Sequence, residues 1–467
     1  MTKPWLAMAC RGALAALLTA AALPAAAAPA GADDAPALSV QTHAVPLGSL
    51  KPALEELRQK GSLDRQAQTS LTAAETVGPA AAYAQLEQEL SATPRPPAPA
   101  RPLNSPRAAG DATYPEPPRK MSLDECRNGL GSSKKFYVKS RFAVCTGTSF
   151  IQTWVQNGRP KGESWFNLRI VGTVAKNSRK IDYKFHFSEM GKTGAVPADA
   201  LKISVKPEIK TSWPSRARYT YGGTMPGTKT FAEAKRQKSF THTVTAKAGQ
   251  GDALDTIFAV YEPIVGVTPP APWTLSPPTS TKMFLLAPRW DAAKYLANST
   301  GSGNPDKAGA ATFSYIVPMI YHTRDGAVEQ QVAKHIKKAF TDPENTNPYM
   351  SAKKVPGQIP SAPLHRTRHK DRSDANGKAA IKQCKRYWGD NYSQGGTREC
   401  DEYPFRSTLE GAAEHDFDPD AKKFNFSVKP VKAADNGKAG LLLKSFYAKN
   451  RMLADTEDDA FLVKITN

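Results

Sequence analysis

Three carboxylates lie close together near the end of this 467-residue sequence. They are Asp401, Glu402 and Glu410, which fall within ten positions of one another. Pro404 ends any helix at this point, so the first two acids are expected on a strand or an irregular segment. Paired carboxylates beside basic groups suit a hard divalent cation that also meets phosphate oxygens. The pattern therefore indicates metal-assisted chemistry on a phosphate ester.

Two arginines flank this acidic segment and suit the phosphates on either side of such a centre. They are Arg398 and Arg406, and a guanidinium binds phosphate oxygens through two parallel hydrogen bonds. The same residues also fit a solvated acidic turn whose arginines form structural ion pairs, which are common at protein surfaces. The residue types alone leave both interpretations open.

The residues around the acids also form an ordered motif. Its members are Cys400-Asp401-Glu402-Tyr403-Pro404-Phe405, Ser407-Thr408, Glu410-Gly411, Phe426-Ser427-Val428-Lys429, Asp435-Asn436-Gly437-Lys438-Ala439-Gly440 and Ala460-Phe461-Leu462-Val463-Lys464-Ile465, with Pro363-Leu364-His365-Arg366 upstream. This set resembles the signature of the NucA/NucB deoxyribonucleases, which are secreted bacterial endonucleases. The resemblance covers about residues 355–467, a quarter of the chain.

The resemblance implies a metal-dependent, largely sequence-nonspecific DNase with a fold similar to a reduced ββα-metal nuclease. It implies catalytic and metal-binding roles for Asp401 and Glu402, and metal-ligand roles for Glu410 and Asn436. Mg²⁺ or Mn²⁺ is the expected ion, and it would polarise the scissile phosphate and offset charge on the leaving oxygen.

Hydrolysis also needs a general base that activates water. His365 is the leading candidate because it lies inside the resembling segment among other basic residues. Its neighbour Arg366 joins Arg398 and Arg406 as a candidate DNA phosphate contact. An exposed basic linker would have the same composition. If no histidine serves, a carboxylate with a pKa raised by its acidic neighbours must act as the base.

The cysteines predict two disulfides. Cys10 lies in the expected signal peptide, and the even set Cys126, Cys145, Cys384 and Cys400 remains. Three pairings are possible, and the most local one, Cys126–Cys145 with Cys384–Cys400, keeps each bridge inside one module. A four-cysteine zinc site is less favoured because the chain has no CxxC pair.

The first 28 residues have the layout of a secretory signal peptide. Lys3 and Arg11 precede an apolar stretch from Gly12 to Leu23, and a tract of small residues follows. About a dozen apolar residues are too few to cross a hydrocarbon core of ~30 Å as a helix. The protein is therefore expected to be secreted and extracellular, with no transmembrane segment after cleavage.

Composition divides the rest of the chain. Residues 29–119 are rich in Ala and Pro and are expected to be a spacer or a pro-segment. Alternating runs in residues 120–270 predict an antiparallel sandwich or barrel. Residues 271–354 are expected to connect it, with one helix at Val328 to Phe340, to a nuclease domain at 355–467. The predicted fold class is α+β, a β-rich sandwich-like module followed by a small mixed domain.

The charge indicates an anionic partner. The chain has a net charge of +20, and residues 120–350 account for +15 of it. A basic face on the β-rich module suits DNA held without sequence preference, or an acidic cell-surface polymer. A polytopic membrane protein is excluded because the long apolar run lies only at the start of the chain.

These observations predict a secreted, metal-dependent endonuclease that hydrolyses DNA phosphodiester bonds with little sequence specificity. The alternative is a non-catalytic polyanion-binding protein, for DNA or cell wall, with a degenerate nuclease module. The clustered acids favour the enzyme, because a pure DNA binder gains nothing from carboxylates near phosphate. A toxin delivered to rival cells would need an immunity or inhibitor protein, which the chain does not reveal.

Overall fold

The structure is a computed structural model that describes residues 37–61, 63, 112–131, 136–278, 280–283, 287–300 and 308–467. The predicted signal peptide lies outside the described residues, as does most of the predicted spacer. Residues 38–467 form one compact unit. Every helix in the described ranges is too short or too polar to cross a membrane.

Strands dominate the first two thirds of the chain and helices the last third. The strands of the described residues are β1 (Leu38–Pro46), β2 (Phe136–Ser140), β3 (Ala143–Gln156), β4 (Arg159–Val174), β5 (Lys180–Lys192), β6 (Lys202–Trp213), β7 (Tyr219–Gly222), β8 (Gly227–Thr230), β9 (Ser239–Ala246), β10 (Ile257–Thr268), β11 (Thr274–Leu275), β12 (Ser280–Lys282), β13 (Pro288–Asp291), β14 (Ala310–Phe313), β15 (Val317–His322), β16 (Arg398–Tyr403), β17 (Ser427–Lys432) and β18 (Phe461–Thr466). The α-helices are α1 (Leu50–Lys60), α2 (Leu123–Leu130), α3 (Phe231–Gln237), α4 (Gln330–Thr341), α5 (Lys370–Trp388), α6 (Glu414–Phe417) and α7 (Ala433–Lys449). Short 3₁₀ turns lie at Leu47–Ser49, Ala198–Ala200 and Pro343–Asn345.

Two sheets form the β-rich part. One has the order β11-β1-β3-β4-β5-β9-β7, with β2 beside β3, and the other has the order β14-β13-β10-β6-β8, with β12 beside β10. Alternation along β5 buries Ile181, Tyr183 and Phe185 completely, as a strand with one wet face requires. Tyr183 stacks on Tyr261 of the other sheet with ring centroids 3.9 Å apart. The chain is α+β, as predicted.

Part of the predicted spacer belongs to this sheet. Strand β1 pairs with β3 along its whole length, and α1 follows it directly. The apolar stripe of α1, with Leu50, Leu54 and Leu57, packs against Val45 and Ile151. The sequence shows the stripe at helical spacing, but its partner lies about a hundred residues away along the chain. Residues 38–60 are thus a structural element of the β-rich part and not a spacer.

The segment predicted as a connector is divided between two cores. Strands β13 and β14 extend the second sheet of the β-rich part. Strand β15 pairs in parallel with β18, at the end of the chain, and α4 packs on the same side. The C-terminal core is therefore built from β15, α4, α7, β16 and β18. Strand β15 and helix α4, which precede residue 355, thus share one apolar core with the later elements.

Buried ion pairs join the two cores. Arg141 Nη2 and Arg289 Nη1 lie 2.8 and 2.5 Å from the two carboxylate oxygens of Asp459. Arg451 Nη2 lies 2.7 Å from Asp291 Oδ1. All five side chains are buried, so a charge left without its partner would be strongly destabilising.

Both predicted disulfides are present. Cys126 of α2 is bonded to Cys145 of β3, and Cys384 of α5 is bonded to Cys400 of β16. The predicted local pairing is therefore confirmed. The second bridge fixes α5 against the strand that bears Asp401 and Glu402.

Candidate active site

His365 and Glu410 form a hydrogen-bonded pair. The chain around His365 is extended between β18 and the loop that precedes Glu410, because Leu364 bridges to Phe461 and Leu409 N–H donates to the His365 carbonyl at 2.9 Å. His365 Nδ1 lies 2.6 Å from Glu410 Oε1, and the His365 backbone N–H donates to Glu410 Oε2 at 3.0 Å. Both carboxylate oxygens of Glu410 therefore accept hydrogen bonds from His365.

This contact fixes the state of the His365 ring. The carboxylate accepts the Nδ1 proton, so in the neutral ring the lone pair is at Nε2, which makes no hydrogen bond to the described residues. The side chain keeps 18% of its exposure. Burial lowers the pKa of His365, but the hydrogen bond and the charge of Glu410 outweigh it, so the net pKa is raised.

Arg372 is a basic residue beside this pair that the sequence analysis did not single out. It belongs to α5, and its guanidinium donates to the Leu409 carbonyl and lies 4.2 Å from the Phe417 ring. Burial lowers its pKa, and the charges of Glu414 and Glu410 oppose that effect. Its position could not be read from the sequence, because nothing there shows that α5 packs on the loop after Thr408.

Asp401 lies in a buried chain of hydrogen bonds on the α4 side of β16. His335 Nδ1 is 2.6 Å from Asp401 Oδ2, and His335 Nε2 is 2.7 Å from Ser427 Oγ. The relative exposures of Asp401, His335 and Ser427 are 5%, 2% and 0%. Both oxygen-bearing partners of His335 are thus shielded from solvent.

Glu402 faces the other side of the same strand. Successive residues of a strand point to opposite faces, and Asp401 and Glu402 are opposite Lys429 and Val428 of β17. Glu402 is partly buried, and its carboxylate accepts a hydrogen bond from its own backbone N–H. Burial, and then the negative charge of Asp401, raise the pKa of Glu402 to about 8, while Arg406 opposes the shift.

The predicted metal ligands are therefore not gathered at one point. Asn436 Nδ2 donates to Glu399 Oε2 at 2.9 Å on the surface, and Glu410 is bound to His365. In the described part of the chain, no group of three or more His, Cys, Asp or Glu side chains is arranged to hold a metal ion. The alternation of β16 explains part of this result, because it separates Asp401 from Glu402.

The three predicted phosphate-binding arginines have different environments. Arg366 donates to the Met452 carbonyl at 2.9 Å and lies against two tyrosine rings. Arg398 donates to a backbone carbonyl of β17 at 3.0 Å. Arg406 forms an ion pair with Asp374 at 2.7 Å, and its side chain is 52% exposed. Arg406 is the most accessible of the three.

A family comparison gives a match at this end of the chain. The family model described as Deoxyribonuclease NucA/NucB matches residues 353–463, and this range includes all the predicted catalytic and metal-binding residues but not His335. Nothing matches among the curated proteins or the solved structures. The match supports nuclease activity in general, and residues 353–463 are confirmed as a NucA/NucB-type domain at the C-terminal end of the protein.

Proposed function

We propose that this protein is an endonuclease that hydrolyses DNA phosphodiester bonds, with His365 as the general base. The observation that carries the proposal is the 2.6 Å contact between His365 Nδ1 and Glu410 Oε1. A carboxylate that holds one ring nitrogen fixes the tautomer and leaves the other nitrogen free to accept a proton. The same arrangement occurs in many enzymes that activate a hydroxyl or a water molecule.

In the proposed reaction, His365 Nε2 takes a proton from a water molecule and the water oxygen attacks the phosphorus atom. The bond between phosphorus and the leaving sugar oxygen breaks, that oxygen takes up a proton from the solvent, and the protonated His365 later returns its proton to the solvent. Glu410 stabilises the positive charge that forms on the imidazole. Arg406 and Arg372 are the proposed contacts to phosphate oxygens. Arg372 belongs to α5, and the Arg406 guanidinium lies against α5 at Gly377.

Glu402 is the second carboxyl group that we propose to act in catalysis. Asp401 and Glu410 each have a histidine partner, whereas Glu402 has no hydrogen-bonding partner among the described side chains. Its oxygens therefore stay available to substrate or to an ion. We assign Asp401 a positioning role, because the pair with His335 occupies it.

Dependence on Mg²⁺ or Mn²⁺ is part of the proposal on the strength of the family match. When bound, such an ion would neutralise charge on the scissile phosphate. Among the described residues, the side chains are not arranged as the predicted ligand set. Activity measured with and without EDTA tests this part of the proposal separately.

Secretion and low sequence specificity complete the proposed function. Two disulfides and the signal-like start of the sequence support an oxidising, extracellular environment. The net charge of +20 supports contacts to the DNA backbone, which carry no sequence information.

A non-catalytic polyanion-binding protein is the second candidate. The burial of Asp401 against His335 and the scattered acids favour it, because they leave the predicted metal set unassembled. A supercoiled-plasmid nicking assay on the full chain separates the two candidates. We expect His365→Ala and Glu402→Gln to lose nicking, and His415→Ala, a histidine elsewhere in the same domain, to retain it. DNA retention without nicking by the wild-type protein would establish the binder.

A further inference from the structure

Helix α5 bears a stripe of basic and apolar side chains on the face turned away from β16. Lys378, Ile381, Lys385 and Trp388 recur at intervals of three and four residues, which places them on one side of the helix. All four are exposed. The buried residues of α5 lie on its other side, and they are Asn376, Gly377, Ala380, Gln383 and Cys384.

An exposed aromatic cluster ends the stripe. Tyr349, Tyr387 and Trp388 are 64%, 38% and 41% exposed. The Tyr349 backbone N–H donates to Tyr387 Oη at 3.4 Å, and the Tyr387 and Trp388 rings are 6.0 Å apart in an edge-to-face arrangement. Two neighbouring rings, with the exposed Tyr349 close by in the fold, form an apolar patch of the kind that marks an interaction surface.

Lys382 and Arg386 lie next to the stripe on α5, and most of the cations on and beside the stripe have no ion-pair partner among the described residues. Lys378, Lys382 and Arg386 make no ion pair with any described residue, whereas Lys385 lies 3.1 Å from the exposed Asp390. The Arg386 guanidinium carbon lies 5.7 Å from the centre of the Tyr387 ring. Positive charge and open ring faces therefore occupy the same surface.

The stripe is continuous with the proposed active site. Arg406 Nη2 lies 2.7 Å from Oδ1 of Asp374, which precedes Lys378 by one turn on the same side of α5. From Lys378 to Trp388 the helix rises about 15 Å. That length corresponds to about four nucleotides at the spacing of a DNA strand.

We infer that this stripe, from Arg406 to Trp388, binds single-stranded DNA and presents it to the nuclease site. The inference rests on the proposed function and specifies its substrate form. The cations match the phosphates, while stacking on Trp388 and Tyr387 requires bases whose faces are open. Duplex DNA hides those faces inside its stack, so it gains only the electrostatic part of the contact.

The test measures the fluorescence anisotropy of a labelled thymidine oligonucleotide of about 12 nucleotides, long enough to cover one such surface. The protein is the full chain with His365→Ala, so that cleavage does not interfere. We expect Trp388→Ala in this background to weaken single-strand binding about fivefold or more. We expect it to leave the affinity for a duplex of the same length within about twofold.

Tyr221→Ala is the matched control, because Tyr221 is 57% exposed on β7 in the β-rich part. It should not change single-strand affinity. The double substitution Lys382→Gln and Arg386→Gln should reduce the slope of log affinity against log salt by about 1.4, the value for two phosphate contacts on a single strand.

Unchanged single-strand binding by Trp388→Ala would overturn the inference, and so would an equal loss for single strand and duplex. These outcomes leave the proposed function standing if His365→Ala still abolishes plasmid nicking. Undiminished nicking by His365→Ala would instead overturn the proposed function, whatever the anisotropy measurements give.

Discussion

His335 Nδ1 lies 2.6 Å from Asp401 Oδ2, and 66 residues of chain separate the two. The histidine comes from α4, outside the range that matches the nuclease family, and the acid belongs to the central motif of that range. Ser427 completes the contact on the other ring nitrogen. A residue from the preceding segment thus holds the most buried acid of the motif.

Replacement of His335 should destabilise the C-terminal core. His335→Ala leaves a buried carboxylate and a buried hydroxyl without partners, which we expect to cost about 3 kcal/mol or more in the free energy of unfolding. Ser427→Ala removes only one hydrogen bond and should cost about 1 kcal/mol. Urea unfolding followed by fluorescence measures both. Equal losses in the free energy of unfolding for the two variants would show that the contact with Asp401 adds nothing to the stability beyond the hydrogen bond with Ser427.

Glu410→Gln should impair catalysis while it largely preserves the fold. The amide cannot stabilise a protonated His365, so we expect the nicking rate to fall about tenfold or more. Glu414→Gln is the matched control, because Glu414 makes no hydrogen bond to His365 in the described chain. If Glu410→Gln nicks plasmid as fast as Glu414→Gln, the pair has no catalytic role.

His242 should make the protein less stable in acid. Its ring is buried, its Nδ1 lies 2.7 Å from Tyr261 Oη, and burial lowers its pKa from 6.5 to about 4. His242 therefore binds a proton near pH 6.5 in the unfolded chain, but only near pH 4 in the folded chain. The contribution to stability is complete above pH 6.5 and is lost as the pH falls through this window, by at most about 3 kcal/mol.

The free energy of unfolding, measured from about pH 7 to about pH 4.5, checks this effect, because a histidine titrates in this range. We expect His242→Leu to show a smaller fall in the free energy of unfolding than the wild type. His369→Ala, with a side chain that is 71% exposed, should keep the wild-type slope. A wild-type slope in His242→Leu would exclude His242 as the source of acid sensitivity.

Reduction of the Cys384–Cys400 bridge should loosen the strand that bears Asp401 and Glu402. The bridge closes a loop over a separation of 16 residues, for which chain entropy predicts about 3 kcal/mol of stabilisation. The double variant Cys384→Ala and Cys400→Ala should lose about that amount and should lose activity at lower temperature than the wild type. The corresponding change at Cys126 and Cys145 should leave the temperature at which activity is lost closer to the wild-type value.

The sequence was most informative where a pattern is local. Alternation predicted the strands of the β-rich part, and cysteine spacing predicted both bridges. The motif located the nuclease domain. The pairing of His365 with Glu410 was not predicted, because the two residues are 45 positions apart in the sequence.

Other features of the site needed the tertiary structure. His335 lies inside the helix predicted at Val328 to Phe340, and nothing in the sequence connects it with Asp401. The opposite orientations of Asp401 and Glu402 follow from the alternation of any strand. The partners of β1 and β15 lie far along the chain, where local patterns give no information.

The buried ion pairs around Asp459 also determine how this protein can be divided into fragments. A fragment cut at the family boundary would keep Asp459 and Arg451 but lose Arg141, Arg289, Asp291, β15 and α4. Such a fragment would leave Asp459 and Arg451 without these ion-pair partners, and it would leave β18 without β15. A fusion protein that includes the nuclease domain should therefore also include the upstream part of this chain.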